Sequence, residues 1–523
     1  MSHCGIATAV LDPVTHVVSK DEAVYASTAI HMATGGDWIS PKFLGRYAFY
    51  QPPLLFWASG LSARLLGVSL TSLRLPSLIA AALICTLVFV WLWRFQTPLA
   101  ACAGLLLMLS NRLLHTMSRL TMTDALLVLW FTAAMLVIAF DPGLRRRESA
   151  WAFGALAGLA ILTKGVAGVL PLLALVVYWI IAPSRDRPRF RRVAVSFLAA
   201  TVVALPWHLY QIVVHTKWFW KEYVVTKHLV FSIGSPEPRL QESQPEFYLR
   251  RLWRMDPVLC VGTFLALPVW IWAIKERVSA RASALGAWCL VTAGALLLFE
   301  SRGAWYLLPL IPALALASAE FFPFHTRAPR TIAVLLLAGL FCAKVYKGQE
   351  TWGLSFIPDA PLVAAPALEQ YCARHRSNEL ILIQPDDEFY ASDLALPHVR
   401  YCYLQSRPVH RHYAIDLEYL GITVTAPEFN ELASGWRDVY RQRLHEWGLN
   451  SEEPIATVIL ARTPDEVEEM IAAHPESDYS LPEEWQLHWP PTHTAWHAPG
   501  GRLYLLAKKT STAPQRPGWP CHL

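Results

Sequence analysis

Apolar runs approaching the ~20 residues that a helix needs to cross a bilayer recur along the first two-thirds of the chain. They lie at about 74–95, 98–113, 124–140, 150–163, 165–182, 192–213, 256–274, 281–299, 303–322 and 331–345. One soluble core cannot hide so many. With 54% hydrophobic and 16% charged residues among 523, the pattern predicts an all-α polytopic membrane bundle and excludes one or two ordinary soluble domains. A further run, 52–67, is short and carries Ser59, Ser62 and Arg64. That composition suits a helix lying at the interface or entering only partly.

Basic residues sit between these runs in separate clusters. Arg145, Arg146 and Arg147 form one, Arg185, Arg187, Arg189, Arg191 and Arg192 a second, Lys275, Arg277 and Arg281 a third, and Arg327 with Arg330 a fourth. The positive-inside rule places these loops in the cytoplasm. Each cluster is too short, and too regularly set between spans, for nucleic-acid binding. The assignment sends 214–255, 300–302 and everything after about 346 to the opposite side. Arg250, Arg251 and Arg254 then crowd the start of a span on the face where positive charge is normally scarce. A phosphate partner would explain that excess.

The domain reading has three parts. Residues 1–51 are an N-terminal tail and an outward amphipathic acidic loop, 52–345 the transmembrane body, and 346–523 a soluble extracytoplasmic domain. Strand-like runs at 379–384, 399–404, 456–462 and 502–509, with a helical 464–473, predict an α/β or α+β fold for the last part. Only Cys372, Cys402 and Cys521 of the nine cysteines fall there, so at most one intramolecular disulfide is available. The first twenty residues offer only the short apolar stretch GIATAVL, without a signal-peptide pattern.

The chemistry-bearing side chains gather at span mouths. Asp21 and Glu22 precede Ala26, Ala29, Ile30 and Ala33 at helical spacing, and so open a helix, where acids favour the positive end of the helix dipole. Asp124 opens the run 124–140, where an N-cap is the bland reading. Carboxylates at two span mouths on one face are also what a reaction at the membrane surface requires. Arg119, Lys164 and Arg302 are cations at span ends, where snorkelling is common and phosphate binding is the alternative.

Taken in order, these pieces resemble a known group. An Asp-Glu pair followed by Tyr25, then TGGDW at 34–38, Pro52-Pro53, RLP at 74–76, SRLTMTD at 118–124, TKG at 163–165, PW at 206–207 and YLLPLIP at 306–312 are arranged as in GT-C membrane glycosyltransferases. More narrowly, 21–345 resembles the lipid A aminoarabinose transferase and protein O-mannosyltransferase group. The resemblance implies transfer of a sugar from a polyprenyl-phosphate carrier to a lipid, glycan or protein acceptor on the periplasmic side of the bacterial inner membrane. No nucleic acid is involved. By position, Asp21 matches the catalytic acid of the first loop and Asp124 the acid of the second motif. Glu22, Tyr25, Gln51, Arg119, Lys164, His228, Arg302 and Tyr306 are the accompanying substrate-binding candidates.

Departures from the family pattern are informative. Gln51 stands where the family has a lysine, Tyr50 where it has an acid, and the spanning helix that precedes the acidic loop has no counterpart. A divalent metal is the one candidate cofactor, and His228 lacks the expected partner acid. The rival readings are a lipid or polysaccharide transporter, which would carry charge in mid-span, and a non-catalytic envelope-assembly protein.

Overall fold

The computed structural model describes residues 20–43, 46–230, 243–299, 302–321, short helical segments between 331 and 339, and six strands between 379 and 508. The chain divides into two compact units. One holds Phe49–Ser62 and the described residues of Arg74–Gly353. The other holds the described residues of Val14–Ala48, Ala63–Leu73 and Leu354–Leu523.

The first unit is the helical bundle expected from the apolar runs. Its helices are α3 (Leu70–Phe95), α4 (Pro98–Ser110), α5 (Arg112–Ser118), α6 (Thr123–Phe140), α7 (Arg147–Lys164), α8 (Leu170–Ile181), α9 (Phe190–Phe219), α10 (Gln244–Met255), α11 (Pro257–Lys275), α12 (Ala280–Leu298) and α13 (Ile311–Glu320). The shorter α1 (Lys20–Ala33) and α2 (Leu54–Leu66) precede them. Among the described residues, six helical stretches are long and apolar enough to cross a membrane, or seven if a bent pair counts as one. This is a multi-pass membrane protein.

Two spans differ from a simple rod. The run 98–113 does not form one straight span: α4 and α5 meet at 63°. Asn111 causes the break, because it leaves the helical region at ψ 117 and its side chain accepts from Leu114 N, starting α5 afresh. Its amide then donates to Asp256 Oδ2 at 2.9 Å, while Asp256 Oδ1 caps α11 by accepting from Leu259 N at 3.0 Å. Two helix starts thus share one buried polar pair. The other case is the continuous apolar stretch Arg147–Ile181, 35 residues long. It folds back at the 3-10 turn Gly165–Val169, since Tyr178 Oη on α8 donates to the carbonyl of Pro142, in the loop that precedes α7. The stretch therefore makes two passes, as the runs 150–163 and 165–182 predict.

The three basic loops converge at one end of this bundle. Arg145 Nη2 donates to the Arg185 carbonyl at 3.0 Å, Arg192 Nη2 to that of Arg145 at 2.9 Å, and Arg185 Nη2 to that of Val278 at 3.3 Å. The positive-inside rule predicts that this end faces the cytoplasm. A buried cluster ties the nearby helix ends. Glu320 accepts from Arg281 Nε at 2.6 Å and from Trp91 Nε1 at 2.9 Å, and the Arg281 guanidinium lies over the Phe95 ring.

Lipid is as apolar as a side chain, so association within such a bundle depends on close backbone approach. Helices α7 and α9 supply it. A Cβ on Gly154 would lie 2.1 Å from the Ser196 carbonyl oxygen, and one on Gly158 2.6 Å from Val203 Cβ. Ser196 Oγ adds a hydrogen bond to the Ala150 carbonyl at 3.0 Å. Gly154→Ala is accordingly expected to cost about 1–3 kcal/mol by overpacking. Thermal unfolding in detergent would show it as a lowered midpoint.

In the second unit, α1 carries Asp21 and Glu22 in its first turn. Its Ala26, Ala29 and Ile30 pack with Ala63 and Leu73. A two-strand hairpin follows, pairing Lys42 with Tyr47 and Phe43 with Arg46. The same unit contains strands at Glu379–Gln384, Arg400–Gln405, Thr457–Ala461, Tyr479–Ser480, Leu487–His488 and Arg502–Lys508. The first three are parallel neighbours with Glu379–Gln384 in the middle, and Arg502–Lys508 runs antiparallel to Thr457–Ala461 and to both short strands. All four long runs predicted as strands are strands. The helix predicted at 464–473 and Cys372 and Cys521 lie outside the described residues.

Candidate functional site

At the end of the bundle opposite the basic loops stands an enclosed ion pair. Asp124, in the first turn of α6, and Lys164, in the last turn of α7, come together because the two helices are antiparallel neighbours. Lys164 Nζ donates to Asp124 Oδ1 at 2.6 Å. The N-cap of α6 is Met122, with no side-chain capping bond, so Asp124 is not the cap that its position suggests. Its carboxylate serves the lysine instead. The Asp124 side chain is 2% exposed and that of Lys164 13%. Asp124 Oδ2 is buried without a hydrogen-bond partner among the described residues.

A pair so enclosed holds its geometry, because separating two charges in a low-dielectric setting is costly. Lys164 also sits 5.3 Å from the centroid of the Tyr306 ring, whose negative face attracts the ammonium. Tyr306 comes from the 3-10 segment Ala304–Leu310, which leads into α13. An ammonium carries three donors, and the aspartate occupies one of them.

Directly after Lys164 the chain turns at Gly165, with φ 51 and ψ −121. Only glycine adopts this conformation without strain. The missing side chain also leaves room for two others: a Cβ there would lie 2.6 Å from His228 Cε1 and 2.7 Å from Tyr223 Oη. Both residues belong to the π-helical segment Trp220–Val230, which follows a break in α9 at Thr216, where φ is 37.

An aromatic cluster seats that segment. Tyr223 stacks on Phe219 at 4.8 Å and meets the His228 ring edge-on at 4.5 Å; Phe219 in turn packs against Phe49 and Trp207. His208 fixes the polar side. Its Nδ1 lies 2.8 Å from the Ala204 carbonyl, which can only accept, so Nδ1 is the donor. Nε2 therefore accepts from Tyr223 Oη at 2.9 Å. Burial pushes the Tyr223 hydroxyl pKa well up, which keeps that donor protonated.

The structure thus brings Asp124, Lys164, Tyr306 and His228 to one place. Arg119 is half-buried at the end of α5, with Nη1 3.4 Å from His115 Nε2. Gln51 is buried just before the Pro-Pro step, and Arg302 is half-buried ahead of Tyr306. Asp21, Glu22 and Tyr25 belong to the second unit, where Asp21 is exposed and Glu22 and Tyr25 are buried. Among the described residues no three His, Cys, Asp or Glu side chains gather as a metal site. Tyr223, His208 and Gly165 were not anticipated as parts of the site. The PW and TKG motifs flag its neighbourhood, but nothing in the sequence singles out Tyr223.

Comparison with known proteins gives a consistent answer. Residues 50–210 match the family described as dolichyl-phosphate-mannose-protein mannosyltransferase. The undecaprenyl phosphate-alpha-4-amino-4-deoxy-L-arabinose arabinosyl transferase of Pseudomonas aeruginosa is 31% identical over 326 residues, 60% of this chain and 57% of that protein. The Edwardsiella ictaluri protein of the same name is 28% identical over 313 residues, 58% of this chain and 54% of its own length. The chain spans about half the length of the curated relatives it matches. In fold, it is similar to the crystal structure of ArnT from Cupriavidus metallidurans bound to undecaprenyl phosphate, with a TM-score of 0.68, 17% identity and 98% of each chain covered. The chain is thus similar in sequence, over its membrane body, to the mannosyltransferase family model and to the aminoarabinose transferases, and similar in fold, over nearly its whole length, to the ArnT crystal structure.

Proposed function

We propose that the protein transfers a sugar from a polyprenyl-phosphate carrier to a lipid acceptor at the non-cytoplasmic face of the bacterial inner membrane, with its C-terminal domain on that periplasmic side. The observation that carries this reading is the Asp124–Lys164 pair, enclosed at the bundle end away from the basic loops. The undecaprenyl phosphate-linked aminoarabinose named in the relatives is the donor to test first.

The chemistry asked of the site is modest. The carrier phosphate is already a leaving group, so the protein must neutralise the charge that grows on it and orient a nucleophile. Lys164 is the cation for the phosphate, held in place by Asp124 and by the Tyr306 ring. By its sequence position Asp21 is the candidate base: its role would be to take the proton from the acceptor nucleophile as that atom bonds to the anomeric carbon and the carbon–oxygen bond to phosphate breaks. Direct displacement inverts the anomeric centre. Gln51, Arg119, His228 and Arg302 are the candidate substrate contacts of the bundle unit, and Glu22 and Tyr25 are candidates by sequence position alone. The described residues offer no ligand set for a divalent metal.

Proteoliposomes supplied with labelled carrier-linked sugar and a lipid acceptor give the test. Asp21→Asn is expected to lower transfer by about 10²–10⁴-fold, the usual contribution of a positioned base. Full transfer by that variant would remove Asp21 from the reaction. Carrier flux without transfer would favour the transporter instead.

A further inference from the structure

Helix α10 has three distinct faces. Phe247 and Tyr248 are buried in the bundle. Leu249 and Trp253, one turn apart, are 67% and 56% exposed. Arg250 and Arg254, also one turn apart and on the adjoining face, are exposed as well. Glu246 pairs with Arg250, and Arg251 lies over the Phe247 ring at 5.1 Å, so the basic edge is partly ordered in advance. The start of the helix is capped by Ser243, which accepts from Glu246 N.

Its place in the bundle explains these faces. Gln244 Nε2 donates to the carbonyl of Phe299, at the end of α12, at 2.8 Å. The other end of α10 joins the Asp256 cap that starts α11. Both attachment points are span ends away from Lys275 and Arg281, and hence on the non-cytoplasmic side. A helix tied across two span ends at the boundary, with an apolar edge of Leu and Trp beside an arginine edge, has the form of an interfacial helix meeting anionic headgroups.

We infer that α10 is a docking surface for phospholipid headgroups of net negative charge in the non-cytoplasmic leaflet, with Leu249 and Trp253 in the acyl boundary and Arg250 and Arg254 on the anionic headgroups. Charge complementarity selects this occupant. Two adjacent guanidiniums in a layer of lipid phosphates gain what they would lack against a zwitterionic surface. The inference needs no turnover, and so stands apart from the proposed transfer reaction. If both hold, α10 gathers anionic acceptor lipid beside the mouth that contains Lys164.

The test is native mass spectrometry of the full-length protein in detergent, titrated with phosphatidylglycerol or with phosphatidylcholine. The unaltered protein is expected to retain phosphatidylglycerol selectively. The double variant Arg250→Gln with Arg254→Gln is expected to weaken that retention by roughly ten- to thirtyfold, while phosphatidylcholine binding stays the same. Both positions are exposed, so the unfolding midpoint should not move, and Glu246→Gln should retain the lipid at least as well. The double variant Asp124→Asn with Lys164→Met, expected to lose transfer while keeping most of its stability, should leave retention intact, which separates this result from a failure of the catalytic reading. Equal retention by the double variant, or no preference for phosphatidylglycerol, would overturn the proposal.

Discussion

Asp124→Asn is expected to cost both stability and transfer activity, and the two losses should be separable. Removing the carboxylate takes from Lys164 its charge partner at 2.6 Å in an enclosed site, where the lysine side chain is only 13% exposed. Breaking such a pair from one side costs about 3–5 kcal/mol, so the unfolding midpoint in detergent should fall clearly. Lys164→Met removes the cation proposed for the carrier phosphate and is expected to lower the proposed transfer by about 10²–10³-fold, the scale for losing one preorganised electrostatic contact. The double variant Asp124→Asn with Lys164→Met decides the matter. Neutralising both partners should recover most of the stability, because no lone charge remains, while transfer stays lost. A double variant that regained transfer along with stability would make the pair purely structural.

Gly165→Ala is the second large effect. At φ 51 and ψ −121 a Cβ is strained by the backbone alone, at a cost of about 1–3 kcal/mol. The same Cβ would intrude on His228 and on Tyr223 Oη, at 2.6 and 2.7 Å. Since Tyr223 is buried and bonded to His208, the π-helical segment cannot yield without losing that bond. The expected outcome is a lowered unfolding midpoint together with reduced transfer. Adding His228→Ala should relieve the crowding in part while leaving the backbone strain. If Gly165→Ala were neutral in both measurements, the tight seating of this turn against Trp220–Val230 would be wrong.

Much of the architecture is legible along the chain because lipid imposes a one-dimensional rule. A span must satisfy its own backbone and present apolar side chains for about 20 residues, so the runs at 74–95, 124–140, 192–213 and 256–274 show as helices without knowledge of their neighbours. The fold-back at Gly165 was legible too, as the boundary between two runs. The bend at Asn111 was not, since an asparagine within an apolar run reads as part of a span until its cap on Leu114 N and its bond to Asp256, 145 residues away, are seen. Strands at 379–384, 400–405, 457–461 and 502–508 showed through their apolar and β-branched composition. Their order in the sheet, with Thr457–Ala461 between a parallel and an antiparallel neighbour, did not.

The site divides in the same way. Sequence named Asp124, Lys164 and Tyr306 as separate candidates at span mouths and His228 as a loop histidine, with a capping role as the plainest reading of Asp124. Packing of α6 against α7 overruled the cap, because a carboxylate one turn from a lysine across a helix pair gains more from that charge than from a backbone N–H. Tyr223 had no local signal at all: a tyrosine among WKEYVVTKH reads as an ordinary loop aromatic until His208 and Gly165 are seen beside it.

What the sequence determined by itself was the solvent in which this protein folds, because hydropathy is a property of short segments. What only the tertiary structure decided was which charges meet. The partners of Asp124, Asn111 and Glu320 lie 40, 145 and 39 residues away, and an ion pair or a shared cap exists only once helix packing has brought its two ends within a few ångströms.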